Sequence, residues 1–131
     1  MQSADKKYLS NVRFEHAKEC LETAKNLIAL NDYKTAANRS YYAVFHAMRS
    51  VLAFDGIDMK HHSGIISEFR KLYIKTGIFD IKLSSFITKL FNVRNDSDYD
   101  DFYIISKDKV LEQINMAEQF LDSVQIFLSK K

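Results

Sequence analysis

The sequence has no proline and no tryptophan, only three glycines (Gly56, Gly64 and Gly77) and a single cysteine, Cys20. So few chain breakers exclude an all-β sandwich, which needs many turns. A single cysteine excludes an internal disulfide and fits a reducing, cytoplasmic setting. No uninterrupted apolar run is long enough to span a bilayer, and the opening MQSADKKYLS has no apolar core of signal-peptide length, so no membrane role is expected. Charge of one sign is also scarce. The excess of 19 basic over 17 acidic residues leaves +2, too little to attract duplex nucleic acid by bulk electrostatics. Any anion site must therefore be local. The 131 residues are enough for one domain, 1–131, with a genuine core.

What is present is helical periodicity. Five helices are predicted, over residues 8–30, 32–54, 63–76, 80–98 and 106–129, giving an all-α, up-and-down bundle of four to five helices. Asn31 and Asp32 supply a stop and an N-cap for helix two, and the joint is short, so the first two helices should be antiparallel neighbours. Gly56 and Gly77 are placed to end helices two and three in the left-handed conformation. Asp80 and Ser106 read as N-caps. In helix four, Leu83, Ile87 and Leu90 share a face with Arg94, and a cation in phase with an apolar stripe needs a carboxylate. Asp98, one turn on, is the nearest. In the last helix Val110, Ile114, Ala117, Leu121, Val124 and Leu128 keep a four-three spacing. Met116, Phe120 and Phe127 widen that seam beyond what one partner helix covers, which points to a homodimer.

Helix two is the expected centre. Ala37, Tyr41, Val44, Phe45, Met48 and Leu52 form one apolar face, and Ala36, Ala43 and Ala47 a second strip of small side chains. Between them run Arg39, Tyr42, His46 and Arg49. A surface helix ordinarily carries Lys and Glu on its polar side, whereas Arg, Tyr and His suit an anionic or planar ligand. The spacing predicts that these four line a solvent-reachable groove, completed by Arg94 and Asn95 from helix four. Arg39 and His46, two turns apart, together offer phosphate binding and proton transfer and are the candidate catalytic pair. The alternative is that Arg39 pairs with a carboxylate of the bundle and His46 is a packed, hydrogen-bonded ring.

Other features read as structural. Asp96, Asp98, Asp100 and Asp101 open like a calcium loop, but the glycine is missing and Lys107 stands at the closing Glu position, so no metal is expected. A solvated loop or a docking surface for a basic partner fits better. His61 and His62 diverge by about 100° on a helix and read as the end of a loop and the start of helix three. Cys20 lies on an apolar stripe, where inert burial is expected. No cofactor is expected.

Three stretches together resemble the HEPN domain family (higher eukaryotes and prokaryotes nucleotide-binding), in its small stand-alone prokaryotic branch. They are Asn38–Leu52 (NRSYYAVFHAMRSVL), His61–Phe79 (HHSGIISEFRKLYIKTGIF) and Leu90–Phe102 (LFNVRNDSDYDDF). The resemblance implies a helical bundle, commonly dimeric, and a partner: a small nucleotidyltransferase in a toxin–antitoxin-like pair. It also implies the metal-independent ribonuclease motif of the family, an Arg, often followed by a polar residue, with a His four to six residues on. Arg94 and Asn95 match its start. Tyr99, Asp100 and Asp101 stand where the His belongs, so the motif is incomplete. Three functions follow: an RNA- or nucleotide-binding module paired with a nucleotidyltransferase, a ribonuclease toxin, or a non-catalytic structural interaction protein. The missing His favours the first.

Overall fold

The computed structural model describes residues 3–131. Five α-helices carry the fold: α1 (Ser3–Ala29), α2 (Tyr33–Phe54), α3 (His62–Phe69), α4 (Lys82–Tyr99) and α5 (Lys107–Ser129). Among the described residues there is no strand, and the protein is an all-α helical bundle. No described helix is long and apolar enough to cross a membrane.

The joint between α1 and α2 forms as its residues require. Asn31 takes the left-handed conformation (φ 58°), which its short polar side chain tolerates, and the Asp32 carboxylate caps α2 by accepting from the Thr35 N–H. So tight a turn, followed by the most extensive helix contact in the molecule, makes α1 and α2 an antiparallel pair. A buried hydrogen bond from Ser10 Oγ to the Ser50 carbonyl oxygen (2.7 Å) stitches them together. α1 begins five residues earlier than the periodicity predicts. Its first turn has no breaker and carries Asp5, which complements the helix dipole.

α2 is the hub and touches all four other helices. Both strips seen in the sequence are enclosed: Tyr41, Met48 and Leu52 on one, Ala36, Ala43 and Ala47 on the other, each at most 1% exposed. The alanines let neighbouring backbones approach closely, and the larger residues fill the centre.

Helix three departs from the expected 63–76. It keeps α geometry to Phe69 and then widens into a π-helical stretch, Arg70–Ile74. The wider turn presents Arg70 to α4, where it donates to the Ser84 hydroxyl (3.0 Å), the Ser84 carbonyl (2.9 Å) and Thr88 Oγ1 (2.6 Å). It also sets Tyr73 against Asp55 at the end of α2. The Tyr73 phenol is pushed well above its ordinary range by burial and then by that carboxylate, so it stays protonated and donates. Gly77 supplies the left-handed turn after it (φ 84°). Asp80 caps α4 through the Lys82 N–H (2.8 Å), and Ser106 caps α5 through the Lys109 N–H (3.1 Å).

The wide apolar seam of α5 is largely covered within one chain. Phe120 is fully buried, its ring 5.6 Å from Phe69. Phe127 packs on Phe79 (5.2 Å) and Tyr73 (6.0 Å), and Met116 is half-buried beside the core. Phe69 of α3 covers Phe120, and the π-turn and the Phe79 loop cover Phe127, so part of the surface assigned from the sequence to a second copy is met within the chain.

Candidate functional site

Arg39, Tyr42, His46 and Arg49 occupy the part of α2 that packing leaves half-open. Arg39 lays its guanidinium over the Tyr42 ring (4.9 Å) and hydrogen-bonds its neighbour Asn38. Among the described residues it has no carboxylate partner, contrary to the bundle-pairing alternative. Tyr42 accepts a hydrogen bond from Arg94 Nη2 (3.1 Å), which brings α4 to the strip as expected. Arg94 also stands 5.5 Å from the Tyr41 and Tyr42 ring centres. Its Nε lies 3.0 Å from Asp98, the expected i,i+4 pair by distance, though off the angle of a hydrogen bond. Asn95 takes no part in these contacts and is half-buried one position on.

The strip is only partly reachable from solvent. Arg49 Nε, Arg94 Nε and His46 Nδ1 are all closed off and, among the described residues, without a hydrogen-bond partner. A cleft of 470 Å³ lies elsewhere, between α3 and α4, and contains none of the strip residues.

Four side chains outside the predicted strip complete the site. Arg13, from α1, is 8% exposed and donates to Asp58 (2.7 Å), a loop residue after α2. Arg49 reaches the same carboxylate oxygen at 3.4 Å. The Arg13 bond leads in holding Asp58 below the usual carboxylate range. His16, also from α1, meets His46 edge-on at 5.8 Å. His62, the first residue of α3, stacks on Phe45 at 4.1 Å, and its Nδ1 shares a 2.9 Å hydrogen bond with the Tyr41 hydroxyl, its direction following the His62 tautomer. Arg13 gave a signal of the kind used for Arg94: it falls in phase with Ala17, Leu21 and Ala24 on the buried stripe of α1. Asp58 gave none, because a loop carries no periodicity.

The charge states follow from this crowding. Burial lowers the His46 pKa to about 4, helped by His16, Arg49, Arg39 and Arg13, so the ring is neutral at physiological pH. Burial also lowers His62, with Arg94 and Arg49 adding to it. Burial raises Tyr41 to about 12, which keeps its hydroxyl protonated. Cys20 is not the buried thiol expected from its stripe. It is half-buried, its Sγ 4.0 Å from Arg39 Nη1, and burial raises its pKa in spite of that cation, leaving it a poor nucleophile. No cluster of three metal-ligating side chains is found among the described residues. In the acidic run, Asp98 faces Arg94, and Asp100 accepts from the Phe102 N–H (2.9 Å), a local turn.

The arrangement is a cationic and aromatic strip built from α1, α2, α3 and α4, and the HEPN domain family model matches residues 10–127 around it. The chain belongs to the HEPN domain family. Its HEPN relatives include a "UPF0332 protein" of Thermotoga maritima, 33% identical over 83% of this chain and 83% of that one. The "Putative toxin MJ0142" of Methanocaldococcus jannaschii is 32% identical over 89% of this chain and 80% of its own length. A "UPF0332 protein" of Archaeoglobus fulgidus is 28% identical over 91% and 94% respectively.

Proposed function

We propose that this HEPN chain is a toxin-like module that binds RNA or a nucleotide through Arg39, Tyr42, His46, Arg49 and Arg94, and works as a homodimer beside a small nucleotidyltransferase. One observation carries the reading. Arg39 is a half-buried cation over an aromatic face, with no carboxylate among the described residues to neutralise it. Its planar fork offers bidentate hydrogen bonds to a phosphate, and Tyr42 beneath it holds the guanidinium plane in place. The name "Putative toxin" borne by two relatives supports the toxin-like part.

The test is fluorescence anisotropy of a short single-stranded RNA and of a nucleotide with wild type, Arg39→Ala and His46→Ala. Loss of the Arg39 fork is expected to weaken binding about tenfold, the worth of one charge-assisted contact. Equal binding by all three, with circular dichroism unchanged, removes the strip as the site.

A ribonuclease reading keeps one specific support. His62 lies in the Tyr41–Tyr42 aromatic cluster that Arg94 faces, so a histidine stands near that arginine in space although none follows it in sequence. Cleavage of RNA in the presence of a chelator, abolished by His62→Gln with binding retained, would establish it.

A further inference from the structure

At the α1 side of the strip, three polar atoms are shielded from solvent and have no partner among the described residues: Arg13 Nη1, Arg49 Nε and His46 Nδ1. The two guanidinium groups converge on one oxygen of Asp58. A buried donor left unmade is costly, and two cations against one carboxylate leave a unit of positive charge unbalanced. Arg13 is the strongest indicator, since it is nine-tenths buried and still has a free face of its fork. The side chain of Asp58, by contrast, is about half exposed (48%) and sits on the loop between α2 and α3, beside the left-handed Gly56. It is the one exposed member of the group.

We propose that Arg13, Arg49 and His46 form a subsite for a terminal phosphate, a dianion, and that the Asp58 carboxylate occupies it in the free protein and leaves when the phosphate binds. A dianion with three oxygens balances both guanidinium charges and gives acceptors to the spare Arg13 and Arg49 N–H groups. An internal phosphodiester carries one charge, like Asp58 itself, and gains less. The inference rests on the RNA or nucleotide reading above only in naming the ligand as one end of such a chain.

Pyrophosphate is the probe, titrated by calorimetry into wild type, Asp58→Asn and, as a charge-matched control, Glu15→Gln. Removing the internal competitor is expected to tighten binding about threefold to tenfold, while Glu15→Gln leaves it near wild type. Equal binding by Asp58→Asn and Glu15→Gln overturns the subsite. Wild type alone gives a second readout that needs no variant: pyrophosphate should shift the Nε–H resonances of Arg13 and Arg49 together, and a shift in neither also overturns the proposal. A short RNA with and without a 5′-phosphate separates the two proposals. If Arg39→Ala abolishes RNA binding while Asp58→Asn gains nothing for pyrophosphate, the strip stands and the subsite falls. If no form binds RNA but Asp58→Asn gains pyrophosphate affinity, the reverse holds.

Discussion

Protonating His46 in the folded chain would place another cation beside Arg13, Arg39 and Arg49. The unfolded chain takes that proton near pH 6.5, the folded chain only near 4. Between those values the unfolded state binds more protons, so stability falls as the pH drops from about 6.5 to about 4. Because the ring is partly solvated, the loss from this residue is about 1–2 kcal/mol rather than the full worth of the shift. His62 is lowered too and acts in the same direction. Urea unfolding of wild type and His46→Gln at pH 7 and pH 4.5 checks this. The midpoint of wild type should fall the more steeply, and parallel profiles would show that His46 takes up its proton normally. Asp58 acts lower still. Its pKa is depressed, so its contribution is present above about 4 and disappears only as the pH falls through its folded value.

At the scale of the helices, α5 contains the clearest internal conflict. Gln113 is fully buried in the bundle, and among the described residues neither its amide nitrogen nor its oxygen has a hydrogen-bond partner. Gln113→Met keeps the shape and removes both polar atoms. It should stabilise the protein by about 1 kcal/mol, raising the melting temperature by about 2–4 °C. A loss of similar size on thermal melting would mean that the amide is satisfied. Gln113 lies outside the predicted apolar seam, because a polar side chain adds nothing to an apolar spacing. The seam of Val110, Ile114, Ala117, Leu121 and Val124 was legible because a repeating spacing survives in one dimension. The caps at Asp32, Asp80 and Ser106 were legible for a similar reason, since each acts within three residues of itself. The π-turn was not, because it answers to Ser84 and Thr88 on another helix. The same division holds at the site. The row on α2 follows from helical phase, whereas Asp58 and His62 reach it through the fold of a loop.

For the whole molecule, the homodimer is the assembly to test. Phe120 and Phe127 find their partners inside one chain, so α5 is a weaker reason for pairing than the sequence suggested. Light scattering across micromolar concentrations should give twice the mass of the chain, and a constant monomer mass would rule the dimer out. The enclosure of α2 has a consequence for how such a protein diversifies. Thirteen of its 22 residues are buried, and all four other helices lean on it. Substitutions at those positions must satisfy several neighbours at once, so a saturating mutational scan should find them nearly immutable. Arg39, Tyr42, His46 and Arg49 lie on the remaining arc, which is half-buried rather than enclosed, so a new side chain there has solvent on one side to move into. That arc is where descent can change what the molecule recognises while leaving intact the scaffold that holds the recognition surface in place.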